Sequence, residues 1–197
     1  MARRLITDGT EGCEVIPPHA ERAYSGAIFD VYRWEQELYD GSFAVFERVK
    51  RTTDTVQIIA ACENGIILID EKQPGSERTG SLPGGRVDPD ETPIEAARRE
   101  LLEETGYEAS DLTYWKTYSR FPKLEWNVHY YLAIGCEKMH EPEPDAGERI
   151  SVRIVDVEAF FEECTGDERD EGAFTADLLR MRLDQKARDA FKNALFP

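Results

Sequence analysis

The chain has 197 residues and a mass of 22.5 kDa, and its 40 acidic and 24 basic side chains give a formal net charge of −16. This length suits one domain with a sizeable core. So negative a charge argues against a nucleic-acid partner, because proteins that bind a phosphate backbone need a basic face. No apolar run approaches the roughly 18 residues of a membrane span, and the first thirty residues lack the apolar segment of a signal peptide. We therefore expect a cytoplasmic protein that binds neither nucleic acid nor membrane.

Residues 1–21 show no clear period and contain two adjacent prolines, so we predict an irregular N-terminal arm. Two strands are predicted at residues 26–37 and 42–50. They are joined at Asp40-Gly41, which is a good hairpin signal because glycine accepts the positive φ of the turn. The charged residues along both strands indicate a ribbon with one wet face, which needs a partner surface to be stable.

A second, apolar hairpin is predicted at residues 56–61 and 66–69, separated by a turn that ends in Gly65. Its apolar character places it at the centre of a sheet. Residues 73–80 are rich in glycine, proline and serine, and we predict that they form a loop.

A helix of about thirteen residues is predicted after Thr92, with Asp90 or Thr92 as its N-cap, Pro93 in its first turn and Gly106 as its stop. At roughly 100° per residue, the apolar side chains share one side and the acidic ones form a patch beside it. The apolar side comprises Ile94, Ala97 and Leu101, and the acidic patch comprises Glu100, Glu103 and Glu104.

The acidic patch is unfavourable by itself, because each pair of like charges three or four residues apart costs a helix about 0.2–0.5 kcal/mol. A divalent cation would relieve the repulsion, and hard ions such as Mg²⁺ or Mn²⁺ prefer carboxylate and carbonyl oxygens. The glycines of Pro83-Gly84-Gly85 let a backbone carbonyl approach the same ion. The alternative is an acidic helix face that is simply solvated.

The rest of the chain is predicted to contain strands at residues 112–118, 127–135 and 151–157, then helices at residues 158–163 and 174–196. The loop at residues 120–125 could overhang the acidic patch, and residues 141–148 form an acidic loop. These elements predict a layered α/β or α+β domain. The four cysteines are scattered, which favours free thiols, and no histidine is assigned a ligand role.

The spacing around the helix resembles the Nudix box in every defined position. Gly85 is followed after five residues by Glu91, and seven residues later come Arg99-Glu100-Leu101, one residue, Glu103-Glu104, one residue and Gly106-Tyr107. A match of this kind arises by chance about once in 10⁸ windows. The resemblance implies an α/β fold, a Nudix-type α/β/α sandwich that carries an N-terminal antiparallel strand hairpin.

Within that family the chain is most similar to the ADP-ribose pyrophosphatase group, through its N-terminal hairpin, Pro122 and the later acidic loop before a strand and helix. This resemblance implies Mg²⁺-dependent hydrolysis, with Mn²⁺ possible, of the pyrophosphate bond in ADP-ribose or a nucleotide sugar. It also implies a homodimer with a small-molecule nucleotide substrate. The chain departs from the group at residues 71–75 and 120–123, which in that group lie near the substrate.

The resemblance also implies a role for each site residue. The ligands of the metal are Glu100, Glu103 and Glu104 with the Gly84 carbonyl, while Arg99 orients a glutamate through an ion pair. Glu148 is the first choice for general base, ahead of Glu143, and the alternative for both is a solvated loop charge. The predicted catalytic residues are therefore Arg99, Glu100, Glu103, Glu104 and Glu148.

The predicted organisation is an arm at residues 1–21 and a single Nudix domain at residues 22–197. That domain comprises an N-terminal hairpin at residues 22–51 and the Nudix fold at residues 52–197. Trp34 and Trp126 are candidates to stack on a base, with core or interface packing as the alternative. A different class of function is a catalytically silent Nudix domain that senses a nucleotide or serves as a binding module.

Overall fold

The computed structural model describes residues 16–121, 123–166 and 172–197. Most of the predicted arm and Pro122 lie outside the described residues. The described residues divide into two compact units, the first within Met1–Thr53 and Ser119–Asn127 and the second within Asp54–Tyr118 and Val128–Pro197. The predicted subdivision after residue 51 stays a prediction, although the chain leaves the first unit nearby.

The described residues form strands and helices in the following order. The strands are β1 (Glu21–Ser25), β2 (Phe29–Glu37), β3 (Phe43–Arg51), β4 (Thr55–Cys62), β5 (Gly65–Gln73), β6 (Ser76–Ser81), β7 (Tyr107–Glu108), β8 (Asp111–Phe121), β9 (Leu124–Lys138) and β10 (Arg149–Val155). The helices are α1 (Pro93–Thr105), α2 (Val157–Cys164), α3 (Ala173–Leu183) and α4 (Gln185–Leu195).

The first unit contains the predicted N-terminal hairpin. Strands β2 and β3 are antiparallel, and Gly41 takes a φ of 81° in the turn between them. Asp40 accepts a hydrogen bond from the Ser42 N–H at 3.0 Å, which closes the turn. An additional strand, β1, pairs with β2; no strand was predicted from the sequence at residues 21–25, of which only Glu21 belongs to the predicted arm.

The second unit is built on the strand order β9-β4-β5-β10, with β6 on β5 and both β7 and β8 on β9. Its two faces differ, as neighbouring residues of β9 illustrate. Tyr131 belongs to the core cluster that contains Ala97 and Leu101 of α1. Tyr130 points to the other face, where it stacks on Phe174 of α3 with ring centroids 4.5 Å apart. Helices therefore cover both faces of this sheet, as the predicted sandwich requires.

Three local predictions are corrected. Residues 76–81 form strand β6 and not a loop, because Gly75, with a φ of 82°, turns the chain back along β5. The single helix predicted at residues 174–196 is interrupted at Asp184, whose carboxylate caps α4 by accepting from the N–H groups of Lys186 and Ala187. Ile94 is 38% exposed and lies outside the apolar side of α1, where Ala96 is buried instead.

Within the described ranges, no helix combines the length and apolar character that crossing a membrane requires.

Candidate active site

Helix α1 is capped at both ends, and the caps fix where its acidic side chains lie. The Thr92 side chain accepts from the Glu95 N–H, and the Glu95 carboxylate accepts from the Thr92 N–H, so the two form a capping box. Gly106 ends the helix with a φ of 75°, and a Cβ there would clash with the His140 carbonyl oxygen. Of the two predicted N-caps, Thr92 is therefore the one used.

The loop before α1 brings backbone groups to the glutamates. The carbonyls of Pro83 and Gly85 accept from N–H groups of β4, each at 2.9 Å. Backbone N–H and C=O groups alternate in direction along an extended chain, so the N–H of Gly84 points away from β4. Accordingly the Gly84 N–H donates to Glu104 Oε2 at 2.7 Å.

Both loop glycines are required by close approach. A Cβ on Gly84 would clash with the Val56 carbonyl oxygen of β4. A Cβ on Gly85 would clash with the carboxylate of Glu100. The backbone contact requires glycine at position 84, and the missing side chain at position 85 leaves room for the Glu100 carboxylate.

The Arg99 guanidinium uses each of its donors on this loop and helix. It donates to Glu91 through Nε at 3.2 Å and through Nη2 at 2.6 Å. Nη1 donates to Glu100 at 2.9 Å and to Glu103 at 3.1 Å, and Nη2 also donates to the Arg86 carbonyl at 3.0 Å. Arg99 therefore orients three carboxylates and one loop carbonyl, a wider role than the single ion pair predicted.

Two of the glutamates are buried enough to change their acidity. Burial raises the pKa of Glu104 to about 9, even though the hydrogen bond from Gly84 lowers it. Burial likewise raises the pKa of Glu100 to about 7 against the opposing charge of Arg99. Hydrogen bonds from Arg99 hold the pKa of Glu91 below its usual value. Burial thus disfavours the charged forms of Glu100 and Glu104 in the absence of a cation.

A further acidic group faces this cluster from β5 and the loop before β10. Gln73 donates to Glu148 Oε1 at 2.6 Å and also to Glu71. Burial, followed by the charge of Glu71, raises the pKa of Glu148. The charges of Glu71 and Glu148 in turn raise the pKa of Glu104. The structure therefore brings the predicted Glu148 to the α1 glutamates.

Glu71 was not predicted to be a site residue. Residues 71–75 were noted in the sequence only as a departure from the ADP-ribose pyrophosphatase group. In the structure Glu71 lies on the same face of β5 as Ile67, which packs in the core cluster with α1, because alternate residues of a strand share a face. Glu143, the second choice for general base, is exposed. Its N–H donates to the Glu103 carbonyl at 2.7 Å, so its backbone supports the helix end.

The donor set fits a divalent cation, because carboxylates and a backbone carbonyl are the oxygens that Mg²⁺ and Mn²⁺ prefer. Among the residues described, however, no three His, Cys, Asp or Glu side chains already converge as a metal cage. Arg99 explains this arrangement, since its guanidinium occupies oxygens of both Glu100 and Glu103. Arg99 bonds to Oε1 of Glu100 and to Oε2 of Glu103, so each carboxylate has a second oxygen with which to bind an ion.

The other residues considered in the sequence make contacts within their own units. Trp34 and Trp126 both belong to the first unit, where Trp34 packs beside Phe46 and the Arg51 guanidinium lies 4.6 Å from the Trp126 ring centre. Cys62 and Cys136 are buried free thiols, in agreement with the sequence. His129 hydrogen-bonds to Thr117 at 2.8 Å and to Asp54 at 3.1 Å within the second unit.

Known proteins share both the sequence pattern and the fold. A NUDIX domain matches residues 51–178. The ADP-ribose pyrophosphatase of Bacillus subtilis (strain 168) is 32% identical over 141 residues, which cover 70% of this chain and 76% of that protein. The ADP compounds hydrolase NudE of Escherichia coli (strain K12) is 35% identical over 132 residues, covering 64% and 71%. The crystal structure of an ADP compounds hydrolase matches with a TM-score of 0.66 at 24% identity, over 87% of this chain and 95% of that one.

Proposed function

This chain belongs to the Nudix hydrolase family, and from that premise we propose that its substrate is a nucleoside diphosphate linked to another group, ADP-ribose or a nucleotide sugar. As a member of this family it is a pyrophosphohydrolase. The two relatives named for ADP-ribose and ADP compounds support the choice of substrate class.

The observation that carries the proposal is the buried carboxylate of Glu104 hydrogen-bonded to the Gly84 peptide. A carboxylate that is 7% exposed and lies beside further glutamates is unfavourable in water-poor surroundings unless a cation joins it. A pyrophosphate brings more negative oxygens to the same place, which strengthens the need for positive charge.

In this proposal Glu100, Glu103, Glu104 and the Gly84 carbonyl hold Mg²⁺, or alternatively Mn²⁺. The ion supplies charge neutralisation of the phosphate oxygens and acidification of a bound water. Arg99 holds Glu100 and Glu103 in position through its bonds to both, and Glu91 anchors Arg99 from the loop side.

Glu148 is the proposed general base. Its pKa is raised, mainly by burial, so it accepts a proton more readily than an ordinary glutamate. Its bond to Gln73 fixes one carboxylate oxygen and leaves the other available for a water molecule. Glu71 lies close enough to raise its pKa, and we propose that Glu71 adds to its basicity.

The proposal also includes a homodimer formed through the first unit, in a cytoplasmic protein. Phe43 and Val45 of β3 are 65% and 62% exposed on the same face of their strand, where a partner surface would cover them. The buried free thiols of Cys62 and Cys136 are typical of a reducing compartment.

A substrate panel tests the proposed function. Purified protein is incubated with Mg²⁺ or Mn²⁺ and with ADP-ribose, GDP-mannose, NADH, dinucleoside polyphosphates or nucleoside triphosphates, and a phosphatase couples product formation to release of inorganic phosphate. We expect the highest kcat/KM for ADP-ribose or the nucleotide sugar. Turnover of triphosphates alone would contradict the substrate class, and no turnover of any compound would favour the silent sensor.

A further inference from the structure

Strand β6 contains a β-bulge immediately before the glycine loop. Ile69 of β5 pairs with Ser81, whereas Glu71 pairs with Arg78, so two residues of β6 lie opposite the single residue Asp70. A bulge bends its strand and redirects the chain that follows. Four residues beyond the bulge the chain reaches Gly84, whose N–H bonds to Glu104. The bulge therefore sets the direction from which the loop approaches α1.

The side chain of Asp70 closes this bulge. Its Oδ1 accepts a hydrogen bond from the Gly80 N–H at 2.7 Å, where Gly80 takes a φ of 65°. Residues in a bulge lose their ladder partners, so an N–H there needs another acceptor. Asp70 supplies that acceptor and ties the bulge to β5.

Arg153 of β10 in turn fixes Asp70. Its guanidinium donates through Nε to Oδ2 at 2.9 Å and through Nη2 to Oδ1 at 3.1 Å, which is a two-pronged pair of high geometric specificity. The other side of the guanidinium donates to Glu163 of α2 at 3.1 and 2.7 Å. Arg153 therefore links Asp70, at the bulge, to Glu163 on α2.

This pair lies on the opposite face of the sheet from α1. Ile67 of β5 packs in the core cluster with Ala97 and Leu101 of α1, and Asp70 has the opposite parity along the strand. Asp70 and Arg153 consequently do not face the α1 glutamates. Any effect they have on that site passes through the backbone of β6 and the glycine loop.

We propose that Asp70 and Arg153 are positioning residues for the cation site, because they hold the β6 bulge and thereby the Gly84 peptide against Glu104. The inference rests on the proposed function in taking Gly84 and the α1 glutamates as the ligands. In this proposal two residues outside the Nudix box, on the face of the sheet opposite α1, influence the affinity for the cation.

The test measures Mn²⁺ binding to metal-stripped protein from the electron paramagnetic resonance signal of free Mn²⁺. We expect Asp70→Ala and Arg153→Met to weaken binding about 10-fold or more, the size of effect seen for residues that orient metal ligands. Raising Mn²⁺ should restore turnover in both variants, because the ligands themselves are intact. Arg153→Lys keeps the charge but loses the two-pronged geometry, so its affinity should fall between wild type and Arg153→Met.

Two controls separate positioning from general stability. Lys72→Ala removes the exposed ion pair with Glu77 in the same β5–β6 hairpin and should leave binding unchanged. Glu163→Ala removes the other arm of Arg153 and should weaken binding far less than Arg153→Met. Equal weakening by Glu163→Ala, or unchanged binding in Asp70→Ala and Arg153→Met, would overturn the inference alone. A wild-type protein that neither binds Mn²⁺ nor hydrolyses any compound would overturn the proposed function and the inference with it.

Discussion

The Arg99 guanidinium and the Glu91 carboxylate face each other in a two-pronged pair, with Nε–Oε2 at 3.2 Å and Nη2–Oε1 at 2.6 Å. Glu91 also accepts from the Asp88 N–H at 2.9 Å, so the pair joins the turn before α1 to the middle of the helix. The remaining guanidinium donors reach Glu100, Glu103 and the Arg86 carbonyl. One arginine thus links the loop, the helix and the acidic side chains into one unit.

Replacement of this arginine by lysine should lower the stability of the protein. Arg99→Lys keeps the charge, but an ammonium group cannot make the five bonds of the guanidinium. We expect the free energy of unfolding to fall by about 1.5–3 kcal/mol, the range for hydrogen bonds to charged groups. Urea denaturation measures the change. Arg98→Lys, at the exposed neighbouring position, is the control, and an equal loss there would contradict the role of Arg99.

Gly85→Ala should lower activity with little effect on stability. The new methyl group meets the Glu100 carboxylate, which is the end of a flexible side chain and can move aside. Because Glu100 is a proposed metal ligand, we expect kcat/KM to fall about 10–100-fold, the range for residues that position metal ligands, with little change in thermal midpoint. The matched control is Gly166→Ala, whose new Cβ has only ordinary contacts, the nearest at 3.6 Å. Activity retained in Gly85→Ala would show that the position of Glu100 is unimportant.

Glu148→Gln should lower kcat at saturating Mg²⁺ by about 10²–10⁴, the usual cost of losing a general base. The amide keeps the bond to Gln73 but accepts no proton. Glu143→Gln, in the same acidic loop, should leave kcat near the wild-type value because that side chain is exposed. A decrease smaller than about threefold in Glu148→Gln would remove Glu148 from this role.

In metal-free protein, stability should fall as pH rises because of Glu104. The pKa of this carboxyl is about 9 in the folded protein and near 4.5 when unfolded, so the folded state holds the extra proton between these values. Its contribution is therefore complete below the unfolded pKa and is lost as pH rises through the folded one. Urea midpoints at about pH 5 and pH 9 in EDTA measure the loss. Glu104→Gln has no such proton, and a wild-type protein that loses no more stability than this variant would contradict the assignment.

The proposed dimer is tested by sedimentation at micromolar concentration. We expect wild-type protein to sediment as a dimer and Phe43→Glu to sediment as a monomer, because a buried charge would oppose contact through β3. Leu183→Glu, at a position that is 90% exposed in the second unit, should leave the dimer intact. A wild-type species of 22.5 kDa would contradict the proposed dimer.

Helix α1 was predictable because its limits depend on local signals. Thr92, Pro93 and Gly106 act within one turn of the helix ends, so no knowledge of the rest of the fold was needed. The break at Asp184 was also local, since an aspartate can cap a new helix, but the apolar spacing on both sides concealed it. The sequence wrongly predicted that Ile94 lies on the buried side of α1. Ile94 is in the first turn of the helix, ahead of Ala96, which is the first buried residue.

Strand β6 and the role of Glu71 depend on partners distant in sequence. Residues 76–81 are polar, and they form a strand only because β5 supplies backbone hydrogen-bond partners. Glu71 meets Glu148 because Lys72 pairs with Arg149 and Glu71 pairs with Ile150, a register that a sequence does not reveal. The same holds for the bulge that Asp70 closes, which follows from the pairing of two strands.

The most direct test of the account is the initial rate of AMP formation from ADP-ribose, measured against Mg²⁺ concentration for metal-stripped wild-type protein and for Glu104→Gln. The amide still accepts the Gly84 N–H, so the loop remains held while the negative ligand is lost. We predict no turnover without metal, saturable activation of wild type by Mg²⁺, and a loss of about 10-fold or more in Mg²⁺ affinity or in rate for the variant. Metal-independent turnover, or a variant that matches wild type at every Mg²⁺ concentration, would contradict the assignment of this carboxylate cluster as the site of pyrophosphate hydrolysis.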